Sequence, residues 1–386
     1  MKKTIFLIVF CALLCFPVNA VAVARAENEP ELISAEVDGQ LESLDLENLN
    51  EVYSSLENSS GVDIKTKLSR LINGEDDLSA KSIINIVLSI IKDNYKSFLT
   101  FFLSIFAIGI LSSLCKEISP SGKFSSASSL ASTICYIVAV SMCTALVGGI
   151  IISYKKTINS LAIFAEAIFP ILVGLVAGLG ANRTSLILDP IITVFATGFI
   201  NLINYFLFPL VICSLVLCII SRFNSKLTFG KLKSYIDSVF KWTIGAFFTI
   251  FLGTLSIKGI TASSVDKLSI RSAKYAIKNY VPVVGGYFAE SYELFRSGSI
   301  LVKNSLGVVG IITIFSLALG MALKLIVAQL FAKLLSGALE PIGESKISGV
   351  LGDLSGILIK LFTIIACLFF MIFVLILVII SAGNLV

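Results

Sequence analysis

Two carboxylates stand beside prolines in strongly apolar parts of this sequence. Glu166 lies four residues before Pro170, and Asp189 lies directly before Pro190. A charged side chain is costly inside a lipid bilayer, so carboxylates in such segments are functional candidates by default. Proline leaves a backbone carbonyl without its helical donor, and interrupted helices of this kind hold ions or solutes in transporters. The four residues therefore predict an intramembrane polar site on a proton or solute pathway, or else helix ends near the headgroups, with Asp189 as an N-cap.

A second candidate site is a basic stripe within the segment 262–303. Its four cations are spaced by four, three and four residues, which places them on one face of a helix: Lys267, Arg271, Lys274 and Lys278. Pro282 ends this helix, and Gly285 with Gly286 permits a turn before a second helix. We expect an amphipathic helix-turn-helix, at membrane level or re-entrant, that lies on anionic headgroups or forms a pore mouth or partner contact.

The sequence lacks the groups on which most enzymes depend. It contains no histidine, which excludes His-based nucleophile triads and His-based metal sites. None of its eight cysteines forms a C-x-x-C pair, and no phosphate-binding Walker pattern is present. We therefore expect no enzymatic activity, no cofactor and no metal ion.

The composition places these candidates in a membrane protein. The chain of 386 residues is 56% hydrophobic and 14% charged, outside the usual range of soluble proteins. Residues 1–26 carry two lysines, an apolar core and a run of alanines that are typical of a signal peptide. Residues 27–81 form an acidic segment that holds 14 acidic and three basic side chains up to Asp77. We expect this segment to be exported, and to be flexible or weakly helical.

Residues 82–386 are predicted to form a polytopic, all-α membrane domain. The stretches apolar enough to cross a bilayer are 97–115, 128–154, 158–181, 186–221, 242–261, 306–323 and 355–381, with 325–339 doubtful. The stretch 186–221 is too long for one span, and Asn201, Asn204 and Pro209 interrupt it, so we interpret it as a tight helical hairpin. The predicted fold is about seven to eight transmembrane helices with amphipathic or re-entrant helices in addition.

Charge and small residues add orientation and packing to this prediction. With the acidic segment outside, the basic residues between 222 and 241 fall inside, as the positive-inside rule expects. The basic segment 262–303 would then fall outside, against the rule, so either its charges serve a purpose there or one of the predicted crossings is wrong. Gly174 and Gly178 form one G-x-x-x-G pattern, which predicts close helix packing within a bundle or in a homo-oligomer.

The stretch from Ile244 to Ile311 carries a resemblance to a known family. It contains Ser-Ala-Lys, Pro-Val-Val-Gly and Val-Lys-Asn-Ser-Leu-Gly in order, and it is flanked by "INGEDDLS" at 72–79 and "IISAGNL" at 379–385. In these elements the chain resembles the stage III sporulation protein AE family of endospore-forming bacteria. The likeness extends over the leader, the acidic head and the polytopic body.

The resemblance implies a non-enzymatic subunit of a sporulation channel or secretion complex that links mother cell and forespore and is needed for late forespore gene expression. The protein would lie in the mother-cell membrane that surrounds the forespore, with its N-terminal segment exported. Its partners would be the lipid bilayer and other stage III A proteins, including a separate ATPase, and not nucleic acid. Two alternatives stay open from the residues: a secondary transporter that uses Glu166 and Asp189, and a docking scaffold without a conduit.

Overall fold

Long helices make up the whole of the chain that the structure describes. The structure is a computed structural model that describes residues 80–117, 125–223, 229–280 and 285–384, and for 80–97 and 257–294 it describes the backbone alone. The predicted signal peptide and nearly all of the acidic segment lie outside these residues. No strand occurs among the described residues, so the chain is all-helical there, as predicted for a membrane protein.

Six helices follow one another along the chain. They are α1 (Ala80–Glu117), α2 (Ser125–Gly178), α3 (182–223), α4 (Gly230–Tyr280), α5 (Gly285–Leu339) and α6 (Ser345–Asn384). Each contains a stretch that is long and apolar enough to cross a membrane. At most seven residues connect one helix to the next, and such short connections make successive helices antiparallel.

Helix α2 is continuous where the sequence predicted two spans, 128–154 and 158–181. It passes through Lys155-Lys156 and through Pro170 without a break. Both lysines are exposed on the helix surface, and the Lys155 ammonium lies 4.6 Å from the centroid of the Phe208 ring. The apolar stretch Leu130–Gly178 has 49 residues and is about 73 Å long, against about 30 Å for a hydrocarbon core. Helix α2 therefore extends well beyond a single hydrocarbon core.

Helix α3 is also continuous, so the predicted hairpin within 186–221 is wrong. Two π-helical turns, Thr193–Thr197 and Ile203–Leu207, are inserted into the α-helix. Pro209 lies two residues after the end of the second of them, where the shifted hydrogen-bond pattern accommodates a residue without an N–H. The wider turns absorb the polar and proline residues that the sequence suggested as a break.

The basic stripe of 262–303 does not belong to a separate helix-turn-helix. Helix α4 continues to Tyr280, and α5 begins at Gly285, so each half of the segment is the distal part of a long helix. Pro282 lies outside the described residues, between the two helix ends. The described chain has six helices long and apolar enough to cross a membrane, against a predicted seven to eight, and the re-entrant placement of 262–303 stays a prediction.

The turn between α5 and α6 anchors α1. Gly343 has a φ of +82°, a left-handed conformation that favours glycine. Next to it, the buried Glu344 carboxylate accepts a hydrogen bond of 2.6 Å from Ser112, and Ser113 donates 2.5 Å to the Ile342 carbonyl. These bonds fix the C-terminal end of α1 to the α5–α6 turn. Helices α5 and α6 pack against each other along their length at the centre of the bundle.

Two glycines of α5 bring its neighbours close. A Cβ at Gly307 would lie 2.4 Å from Ile380 Cδ1 of α6, and one at Gly310 would lie 2.3 Å from Ile168 Cδ1 of α2. Gly174 and Gly178 differ, because no atom lies within 4 Å of a Cβ added there. The packing face predicted at these two glycines is therefore not used within the described chain and stays a prediction for contact with another chain.

We expect Gly307→Val to lower the melting temperature of the purified full-length protein in mild detergent. The added methyl groups would collide with Ile380, and overpacking of this kind costs about 1–3 kcal/mol. Gly174→Val is the matched control, since it adds the same side chain in an open position on α2 and should leave the melting temperature near that of the wild type. Equal effects of the two substitutions would contradict the described packing of α5 on α6.

Candidate functional site: the charged layer

Two ion pairs join α4 to α6. Lys233 contacts Asp353, and the Lys360 ammonium lies 2.5 Å from Asp237 Oδ1. Lys233 and Asp237 are one helical turn apart in α4, while Asp353 and Lys360 are two turns apart in α6, so each pair of residues lies on one helix face. Each helix supplies one cation and one carboxylate, and the contact carries no net charge.

Lys360 is the most enclosed of these four residues. Its side chain is 12% exposed, compared with 34% for Asp237. Its ammonium also donates a hydrogen bond of 2.7 Å to Ser214 Oγ of α3. A cation this far from water must keep its partners, because removal of one partner leaves an uncompensated charge. Lys360 therefore fixes α3 and α4 against α6 at one level.

A third lysine lies at the same level on α5. Lys324 Nζ donates a hydrogen bond of 3.2 Å to Ser153 Oγ of α2. The antiparallel register of α5 and α6 is set by the Phe315–Phe369 ring contact and by the hydrogen bonds between Ser336 and Ser348. This register places Lys324 opposite Lys360. We call the following residues of α2 to α6 the charged layer: Ser153, Ser214, Asp237, Lys324 and Lys360.

The charged layer marks one boundary of an uncharged zone about as thick as a hydrocarbon core. In α5, the residues between Lys303 and Lys324 carry no charge, and in α6 the residues 361–380 carry none. Each stretch has 20 residues, or about 30 Å of helix. At the other boundary, the buried Lys303 ammonium donates 2.7 Å to the Ile380 carbonyl. We name the zone formed by 304–323 and 361–380 the membrane slab.

The structure places the four residues of the predicted intramembrane site on the outside of the bundle. Glu166, Pro170, Asp189 and Pro190 are all exposed, on α2 and α3. Both helices continue through their prolines. Asp189 is the eighth residue of the segment Asn182–Ile192, so its interpretation as an N-cap is wrong. No hydrogen bond or ion pair joins either carboxylate to another described residue, and a pathway through them stays a prediction.

The basic stripe lies at positions whose backbone alone is described. Lys267, Arg271, Lys274 and Lys278 fall in the distal part of α4, and Gly285 with Gly286 begins α5. A pore-mouth or partner contact at these residues therefore stays a prediction, as does the role of Pro282.

Sequence reasoning missed the charged layer. The last predicted span began at residue 355, beyond Asp353, and it contained Lys360 without assigning it a partner. One signal was present: opposite charges at whole-turn spacings in two segments that flank apolar stretches, Lys233 with Asp237 and Asp353 with Lys360. Only the adjacency of α4 and α6, which the sequence does not state, turns these spacings into two ion pairs.

The arrangement can hold helices in register, and we expect it to tolerate a charge swap. Asp237→Lys or Lys360→Asp alone would set like charges side by side, and each should lower the melting temperature of the full-length protein in detergent. The cost should be on the order of 1–3 kcal/mol, reduced by the partial exposure of Asp237. The double variant should recover most of the loss, since the pair is restored with its signs reversed.

Lys241→Asp provides the control for this experiment. Lys241 is exposed on α4, one turn beyond Asp237, and the same change of charge there should have little effect. If the double variant were as unstable as the sum of the two single variants, Asp237 and Lys360 would not form the pair described.

Comparison with known proteins identifies a family for most of this chain. A family model described as stage III sporulation protein AE matches residues 62–383, which include nearly all of the six helices. The stage III sporulation protein AE of Bacillus subtilis (strain 168) is 29% identical over 230 residues, 60% of this chain and 58% of that protein. The match thus spans little more than half of that relative's length, and no solved structure matches this chain. Because the family model covers most of the chain, the protein belongs to the stage III sporulation protein AE family.

Proposed function

We propose that this protein is a non-enzymatic, integral membrane subunit of a transenvelope complex that links mother cell and forespore during sporulation. The family supports a role in stage III of sporulation. The observation that carries the finer proposal is the length of α4 and α5 beyond the membrane slab. Residues 257–280 of α4 add about 36 Å of helix outside it, and α5 returns over 285–302. A helical hairpin of this reach is suited to contact a partner at a distance from the bilayer.

The positive-inside rule supports an orientation for this hairpin. Along the sequence, the basic residues between 222 and 241 come where α3 ends and α4 begins. Their charge favours the cytoplasmic side for this end of the bundle. The α4–α5 hairpin lies at the opposite end of the bundle, toward which α1 extends from Phe98 to its first residues, and we assign this end to the exported side. In this orientation the acidic segment and the basic stripe at 267–278 face the space between the two membranes.

We also propose a location and an energy source for this protein. We place the protein in the mother-cell membrane that surrounds the forespore, where it contributes a helical bundle to a channel or secretion complex. Other stage III A proteins are its proposed neighbours, and a separate ATPase is the proposed source of energy. The basic stripe on the α4–α5 hairpin then contacts an acidic surface of one of these partners.

Removal of the gene should abolish most heat-resistant spores and late forespore gene expression. Complementation with a variant in which Lys267, Arg271, Lys274 and Lys278 are all replaced by Gln should restore far fewer spores, at least tenfold below the wild type. The variant should still accumulate in the membrane, because the change removes charge from a part of α4 outside the membrane slab. Spore counts after heat treatment, with protein abundance measured in parallel, check this prediction.

A variant that keeps the charges is the matched control. Arg in place of the three lysines and Lys in place of Arg271 retains four cations at the same positions and should sporulate as the wild type. Normal spore formation in the Gln variant would exclude the basic stripe as a partner contact. Normal spore formation in the deletion strain would exclude the proposed function as a whole.

A further inference from the structure

A polar stripe runs along the outward face of α3. Its members are Asp189, Thr193, Thr197, Asn201 and Asn204, at intervals of three or four residues, and Tyr205 directly after the last of them. All of them are exposed except the half-buried Thr197. The Thr193 hydroxyl donates a hydrogen bond of 3.0 Å to the backbone carbonyl of Asp189. Within the part of the chain that the structure describes, nothing hydrogen-bonds the side chain of Asp189, Asn201 or Asn204.

The two π turns of α3 keep this stripe on one face. In an uninterrupted α-helix, at about 100° per residue, Asp189 and Tyr205 would lie on nearly opposite sides. Each π turn accommodates about one extra residue per turn, and two of them bring these positions to within about 40° of each other. The buried face follows the same four-residue interval, as Leu188, Ile192, Ala196 and Ile200 show.

Aromatic contacts fix the depth of the stripe. The Phe199 ring lies 4.8 Å from Phe247 and 5.7 Å from Phe248 of α4, and Phe248 lies 6.1 Å from Phe370 of α6. Phe370 is in the middle of the membrane slab. Asn201, two residues from Phe199, is therefore at hydrocarbon depth.

Lipid is a poor cover for this face. Acyl chains offer no hydrogen-bond partner, so a bare amide at this depth bears a desolvation penalty that a protein partner would remove. Polar side chains at hydrocarbon depth usually face protein or a water-filled cavity rather than lipid. The stripe therefore requires an occupant that supplies hydrogen bonds.

We propose that a second copy of this chain covers the polar stripe, with Asn201 and Asn204 hydrogen-bonded across the interface. All copies enter the membrane in one orientation, so a twofold axis along the membrane normal places identical residues at the same depth. An amide group carries both a donor and an acceptor and is its own complement. Asp189 lies 12 residues, or about 18 Å, nearer the Lys303 boundary than Asn201 does. Water at that boundary screens the repulsion between the carboxylates of the two copies.

The neighbouring face of α4 permits a close approach of the second copy. Helix α4 packs beside α3 through Phe251, whose ring lies 5.2 Å from Phe195. Its outward residues include Gly245, Thr249 and Gly253, and a Cβ added at either glycine meets no atom within 4 Å. Small residues on a membrane helix let backbones meet closely, which supports the same face as the contact surface.

Cysteine cross-linking in native membranes tests the proposal. In a full-length chain without its natural cysteines, Asn201→Cys and Asn204→Cys should form disulfide-linked dimers on mild oxidation. Ile163→Cys is the matched control, since Ile163 is also exposed at slab depth but on α2, and it should give at least tenfold less dimer. Asn201→Leu with Asn204→Leu should reduce cross-linking at Thr197→Cys by a similar factor, whereas Asn201→Gln, which keeps an amide, should retain it.

Three results would overturn the proposal. Equal dimer yields at positions 163 and 201 would indicate random collision in the membrane. Cysteines at 201 and 204 that react with a small membrane-impermeant thiol reagent, but form no dimer, would indicate a water-filled passage along the stripe. Cross-linking of these cysteines to a different protein, without dimer, would assign the stripe to another partner.

Discussion

The need to pair enclosed ammonium groups is the constraint on which the packing of this structure depends. Lys303 and Lys324 bracket 20 uncharged residues of α5, and Lys360 opens a stretch of the same length in α6. Each of these ammonium groups has a partner on another helix: the Ile380 carbonyl for Lys303, Ser153 for Lys324 and Asp237 for Lys360. Because these contacts lie at both boundaries of the slab, they hold the helices in register.

The same constraint separates what belongs in the bilayer from what extends beyond it. Helix α2, with an apolar stretch of about 73 Å, and the hairpin of α4 and α5 are too long for one hydrocarbon core. The charged layer divides them into a part at slab depth and a part outside it. A bundle built in this way can anchor a contact at some distance from the membrane, which is what the proposed role in a transenvelope complex requires. The polar stripe of α3 adds a lateral contact at slab depth.

Composition predicted the fold class, since a chain this apolar is typical of membrane helices. Helix boundaries were less predictable. The sequence predicts breaks at Lys155-Lys156 and at Asn201, but α2 carries both lysines on its exposed surface and the π turns of α3 absorb extra residues, so both helices continue. The ion pair between Asp237 and Lys360 was beyond sequence reasoning, because it depends on the adjacency of α4 and α6 and not on local pattern.

The most direct test of the account is the proximity of Asp237 to Lys360 in the membrane. Cysteines at both positions, in a chain without other cysteines, should be joined efficiently by a short bifunctional thiol reagent, which would shift the mobility of the protein on a gel. A pair at 235 and 360 is the comparison, since Tyr235 is 67% exposed on another face of α4, and it should react singly without being joined. Equal joining of the two pairs, or none at 237 and 360 despite reaction of each cysteine alone, would contradict the charged layer as the element that holds α4 to α6.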